Sequence, residues 1–148
     1  MTDILGETSE ALLSTLSAGT VLTALLSTAP NTGTAVSPAI YDTQAPDEAS
    51  PPYIVFNHQG GGPDNITSSD IESNLWLVKA YSATLLSNAS SIFNEADKLL
   101  HKQNISINGG TVNTWWCCRE ENVKLVENPP SGKPIFMRGG VYRIRTSG

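Results

Sequence analysis

The sequence predicts an α+β fold, a mostly antiparallel sheet with helices packed on one face, in the order α-β-β-β-α-β-β-β. Three observations carry this. The stretch Leu75–Gln103 changes its apolar period from two to about 3.6 without a break, as a strand running into its own helix does. A leucine-rich helical segment opens the chain, and short alternating runs bounded by Gly and Pro fill the rest. At 148 residues the chain is long enough to bury about two-thirds of its unfolded surface in one core, so residues 1–148 are expected to form one domain.

Taken in order, residues 1–7 are expected to be frayed. From Ser9 to Ala29 good helix formers carry two leucine stripes, Leu12, Leu13 and Leu16, then Leu22, Leu25 and Leu26. The stripes are out of phase, which predicts a break at Gly19 with Thr20 capping a second short helix. Pro30-Asn31-Thr32-Gly33 ends it. Val36–Tyr41 is a strand, placed at a sheet edge because Pro38 cannot donate to a ladder. Thr43–Pro52 holds three prolines and is ordered only if something packs on it.

Tyr53–His58 is the next strand, and Gln59–Ser69, with three glycines and a proline, is a flexible loop or the tip of a long hairpin. In Leu75–Tyr81, Trp76, Val78 and Ala80 share one side while Leu75, Leu77, Lys79 and Tyr81 share the other. Both sides are largely apolar, which suits a central strand covered on both faces. The following helix has its stripe at Leu85, Ala89, Ile92, Phe93, Ala96, Leu99 and Leu100, with Ser82 or Thr84 as N-cap. Lys98, His101 and Lys102 suit the negative end of its dipole. Ile105–Gly110 is a turn region, Val112–Arg119 and Asn122–Glu127 are strands, and Asn128–Gly140 is a second flexible loop. Val141–Thr146 completes the sheet, with Tyr142 and Ile144 on one face and Val141, Arg143 and Arg145 on the other.

Composition narrows the function. No apolar run approaches the roughly 20 residues that span a bilayer, so no membrane partner is expected. The acidic start (Asp3, Glu7, Glu10) lacks the basic segment of a secretion signal, which points to a protein made and kept in a cytoplasm. On that reading the three N-x-S/T triplets at Asn65, Asn88 and Asn104 are chance, and Cys117 and Cys118 are ordinary thiols. Residues 1–118 carry 11 acids and three bases; residues 119–148 carry six bases and three acids. An acidic body argues against a grip on nucleic-acid phosphates.

Chemical motifs are sparse. Gly60-Gly61-Gly62 is followed by Pro63-Asp64-Asn65 where a phosphate loop needs Gly-Lys-Ser/Thr. His58 and His101 sit in no metal-spaced cluster, and adjacent cysteines on a strand cannot both face one zinc. No serine lies in G-x-S-x-G, and Cys117 has no base nearby in sequence. The reading is therefore no enzyme, no cofactor and no metal. Trp115-Trp116 has two readings, sheet packing or an interface anchor.

An ordered series of motifs across residues 10–146 resembles the tail terminator family of long-tailed bacteriophages, also called tail completion or head–tail joining proteins. The series is ALLSTLSAGTVLTALLS, then Ala39-Ile40-Tyr41, Ala45-Pro46, and Pro52-Tyr53-Ile54-Val55-Phe56. A Gly-rich loop, the strand Leu75–Tyr81 with hydroxyl residues after it, and Gly140–Arg145 complete it. The resemblance implies a virion protein at the head-proximal end of the tail, forming a homo-oligomeric ring, usually of six copies. Its partners would be the tail tube protein and the neck (stopper) protein, with DNA passing through the lumen unbound. Interface candidates in the two loops and the tryptophan pair are Gly61, Asp64, Asn65, Trp115, Lys133 and Arg138. The competing expectation is a small soluble α+β protein that binds a ligand or partner in a pocket between sheet and helix.

Overall fold

The computed structural model describes residues 4–27, 38–47, 49–63, 71–105, 113–128, 130 and 132–147, with the backbone alone at 113–115. Its elements are α1 (Ile4–Ser17), α2 (Thr20–Leu25), β1 (Ile40–Asp42), β2 (Tyr53–Pro63), β3 (Ile71–Ser82), α3 (Leu86–Leu100), β4 (Asn113–Glu127) and β5 (Ile135–Ser147). The strands form one sheet in the order β1-β2-β3-β5-β4. Its pairs are antiparallel except β1 with β2, which is parallel. The α+β class and the helices on one face hold.

The core lies between this sheet and the helices. Trp76, Val78 and Ala80 of β3 and Tyr142 and Ile144 of β5 point into it, as their alternation required. From above, α3 contributes Ile92, Phe93, Ala96 and Leu100, α1 Leu12 and Leu16, and α2 Leu22. The helical stripes are narrower than the sequence indicates. Leu13 and Leu25 are exposed, and Leu85 is the exposed N-cap residue before α3.

Several boundaries move, each for a physical reason. Helix α1 begins at Ile4, so residues 4–7 are not frayed; the buried Thr8 hydroxyl donates to the Ile4 carbonyl at 2.6 Å. The break at Gly19 is present, but Gly19 itself is the N-cap residue and Thr20 is helical. A Cβ at Gly19 would stand 2.5 Å from Leu99 Cδ1, so the glycine lets α2 approach α3. Neither Ser82 nor Thr84 caps α3. Thr84 instead accepts from the Asn88 side chain at 2.6 Å. Strand β1 is at an edge as expected; Val36 and Ser37 lie outside the described residues.

Within the two expected glycine-rich loops, Gln59–Pro63 and Ile135–Gly140 are strand, and β2 and β3 form the long hairpin that is the alternative reading of the first. Strand β2 runs on through Gly60, Gly61, Gly62 and Pro63, paired with Leu75, Asn74, Ser73 and Glu72, after a register shift at Gln59. The rest of that expected loop, and most of Ile105–Gly110, lies outside the described residues. Strand β5 starts at Ile135, with Gly139 and Gly140 in its interior. A Cβ at Gly139 would lie 2.4 Å from the Val78 carbonyl oxygen, and one at Gly140 would lie 2.8 Å from Phe93 Cζ. These glycines mark close approach of neighbouring elements, not a loop. The two strands expected at Val112–Arg119 and Asn122–Glu127 are one 15-residue strand. Glu120 is the extra residue of a bulge between Arg119 and Glu121, in the gap between the two expected strands.

Strand β3 is central, as expected, but its second face is not covered by a described helix. On that open face Val55, Tyr81 and Met137 form a smaller apolar cluster edged by Tyr41, Tyr53, Val123 and Ile135. Ala45 packs on it, which anchors part of the Pro-rich segment. The Ser27 hydroxyl anchors the remainder through the Ser50 and Pro52 carbonyls.

Candidate functional site

The described interface candidates fall at two opposite ends of the sheet. Gly61 pairs with Asn74, Asn74 with Ile144 and Ile144 with Cys117, so Gly61 shares its end of the sheet with the start of β4. Trp115 is the extra residue of a second β4 bulge there, between Thr114 and Trp116; its side chain lies outside the described residues. Gly61 has φ +116°, and a Cβ on it would meet the Ser73 carbonyl oxygen at 2.3 Å, so its role in the hairpin is conformational. Asp64 and Asn65 lie outside the described residues. At the other end Lys133 is exposed between β4 and β5. Arg138 is held within its own chain. Its guanidinium stands 4.6 Å from the Phe93 ring centroid and donates to Asn122 Oδ1 at 3.0 Å and to the Gly139 carbonyl.

A polar cluster that sequence reasoning missed joins α3 to the two C-terminal strands. One Asp97 carboxylate oxygen accepts from the Tyr142 hydroxyl at 2.5 Å and the other from Arg119 Nη1 at 2.5 Å. His101 Nδ1 accepts from the Arg119 backbone N–H at 3.0 Å, and the Lys102 N–H donates to the Cys117 carbonyl at 2.7 Å. The β4 bulge makes this possible: Arg119 reaches the helix side, while Glu120 pairs with Arg143 at 2.5 Å on the open face. Asp97 and Tyr142 are 45 positions apart, so no local motif could reveal the pair.

Chemically this cluster is a clasp. Both Asp97 oxygens are engaged, and burial, reinforced by the Asp97 hydrogen bond and charge, holds the Tyr142 hydroxyl well above its ordinary range. Burial, aided by Cys118 and Asp97, pushes the Cys117 thiol up to about 12, so it stays protonated near neutrality and is a poor nucleophile. Beside it, an open groove of ≈ 450 Å³ between α2 and α3 is lined by Leu25, Ser91, Asn94, Glu95, Asp97 and Lys98. Its charged groups already have partners, since Lys98 pairs with Glu95 at 2.9 Å and Asp97 turns to the strands. Among the described residues no three His, Cys, Asp or Glu side chains converge as metal ligands, and no helix is long and apolar enough to cross a membrane.

The surface is distinguished by its edges. Among the described residues strand β4 has a neighbour on one side only, and Trp116, Leu125 and Val126 stand exposed on it. Leu5 and Leu13 of α1, and Val21 and Leu25 of α2, are exposed on the helical layer.

No family model matches this chain, and no curated protein matches it. Among solved structures, the fold is similar to a chain of a structure titled "Virion of native gene transfer agent (GTA) particle". The TM-score is 0.72 at 14% identity, covering 100% of each chain. At that identity the likeness is one of fold.

Proposed function

We propose that this chain is a structural protein of a phage-like virion, acting by assembly and not by catalysis. Within the virion it is a tail terminator: a ring, of six copies as in the family it resembles, at the head-proximal end of the tail tube. There it ends tube polymerisation and joins the tube to the neck protein. The observation that carries the reading is the end-to-end fold likeness to a chain of a virion particle, at a TM-score of 0.72. It agrees with the motif series that the sequence presents independently. A clasp with both carboxylate oxygens engaged and a protonated buried thiol suits a scaffold better than a reactive centre. The excess of acids in residues 1–118 suits a channel through which DNA slides, because like charge discourages phosphate adhesion.

The test is an early stop codon in this reading frame, in the genome that encodes the chain, followed by electron microscopy of the lysate. Filled heads lying apart from tails of abnormal length are expected. Intact virions would overturn the proposal and return attention to a ligand-binding role for the α2–α3 groove.

A further inference from the structure

Among the described residues β4 has no strand on its outer side, yet its backbone is covered at Cys117 and Arg119. The Cys117 carbonyl accepts from the Lys102 N–H at 2.7 Å, and the Arg119 N–H donates to His101 Nδ1 at 3.0 Å. A carbonyl and the N–H two residues further on point to the same side of a strand, where an adjoining strand would supply one donor and one acceptor. Here the turn after α3 supplies both, and the His101 ring nitrogen stands in for a strand carbonyl. The backbone is shaped for this. His101 is the C-cap residue, its N–H donating to the Asp97 carbonyl at 2.8 Å. Lys102 follows at φ +60°, a conformation that disfavours any residue with a Cβ.

We infer that His101 is a pH-sensitive latch that holds the end of α3 on the β4 edge and releases it on acidification. An imidazole nitrogen accepts a hydrogen bond only while it carries no proton. The bond from the Arg119 N–H therefore requires neutral His101 with its hydrogen on Nε2. Protonation at Nδ1 sets N–H against N–H and leaves the Arg119 donor without its acceptor. Imidazoles ordinarily titrate between about pH 5 and 8. The released turn takes up a proton that the closed latch excludes, so closure is favoured at the upper end of that range and lost as pH falls.

The charged groups around the ring pull in both directions. On α3, Asp97 lies one turn back, Lys98 is paired with Glu95, and Lys102 is adjacent. Strand β4 brings the Arg119 guanidinium and the Cys117 and Cys118 thiols, and β5 brings the Tyr142 hydroxyl. Asp97 and the negative end of the helix favour a charged imidazole, while Arg119, Lys98 and Lys102 oppose it. Both Asp97 oxygens are already engaged by Tyr142 and Arg119, and no charge restores the lost acceptor. The other histidine is built differently. His58 Nε2 donates to Asn74 Oδ1 at 2.9 Å, a bond that survives protonation.

Amide hydrogen exchange followed by NMR on the full chain tests this, at about pH 7.5 and about pH 5.5, with intrinsic rates divided out. Protection of the Arg119 and Lys102 amides should fall about tenfold at the lower pH, the scale of one lost hydrogen bond, while β3 stays protected. In His101→Asn the side-chain Oδ1 takes the place of Nδ1 and does not titrate, so both amides should keep their protection. His58→Gln should respond like the wild type. Equal protection of the wild-type amides at both pH values would overturn the inference, as would a fall in His101→Asn as large as the wild type's. A fall at Arg119 with Lys102 unchanged would also overturn it, because the turn would still be closed, and so would a response abolished by His58→Gln. If His101→Asn does not fold, the ¹⁵N shifts of the one imidazole left in His58→Gln decide. They should show hydrogen on Nε2 at the higher pH and protonation in step with loss of Arg119 protection; hydrogen on Nδ1 would overturn the latch.

Discussion

The Tyr142 hydroxyl donates to the Asp97 carboxylate at 2.5 Å, joining the last strand to the third helix across 45 positions of sequence. The tyrosine is fully buried, and its ring lies 6.4 Å from that of Phe93, centroid to centroid. Apolar packing and a charge-assisted hydrogen bond therefore fix the same pair of elements. Hydrogen bonds to charged groups contribute about 1.5–3 kcal/mol, so Tyr142→Phe should cost about that much in urea unfolding. An unchanged midpoint would mean that the bond contributes nothing net.

The same tyrosine predicts a pH dependence. Its folded pKa is raised, chiefly by burial and then by the Asp97 hydrogen bond, above the ordinary 10.0. The protonated folded state is fully favoured below pH 10, and its stability contribution is lost as pH rises above that value, where the unfolded chain ionises first. Tyr53 and Tyr81 are shifted the same way, chiefly by burial. Unfolding midpoints measured above pH 10 should fall steeply for the wild type and less steeply for Tyr142→Phe. Parallel slopes would remove Tyr142 from the account.

Phe93→Ala should be among the most damaging single changes. The ring is 1% exposed and lies under Gly140 and beside the Arg138 guanidinium. Truncating a buried Phe costs about 3–5 kcal/mol. Calorimetry or urea unfolding checks this, and a loss below about 1 kcal/mol would mean that the neighbouring side chains refill the site.

Two glycines make a matched pair of tests. Gly139→Ala would place a Cβ 2.4 Å from the Val78 carbonyl oxygen, and backbone can move only by disturbing the β3–β5 ladder. A loss of about 1–3 kcal/mol is expected, as for overpacking. At Gly60 a Cβ would meet nothing within 4 Å, so Gly60→Ala should stay within about 0.5 kcal/mol. Equal effects in unfolding experiments would show that close approach is not what selects glycine at Gly139.

Thiol reactivity should separate the vicinal cysteines. Cys117 is buried with its pKa pushed up to about 12, whereas Cys118 is half-buried. A disulfide reagent should titrate one thiol in the native protein and two after denaturation. Two rapid reactions in the native state would show that the α3–β4 contact opens readily.

What was legible in the sequence was what local physics controls. The two-residue alternation of Leu75–Tyr81 and the stripe Ala89–Leu100 place their side chains because strand and helix geometry leave no other facing. The kink at Gly19 was legible in the phase change between two leucine stripes. What required the tertiary structure was everything set by contact at long range. Glycines that look like loop residues at 60–62 and 139–140 lie within strands: Gly61 and Gly139 meet the neighbouring β3 backbone, and Gly140 meets the Phe93 ring and β4. Adjacent acids in the gap between the two expected strands form the bulge that sends Arg119 to Asp97 and Glu120 to Arg143. Periodicity counts leucines but cannot say which are covered, so Leu13 and Leu25 became legible as surface only when their neighbours were in place.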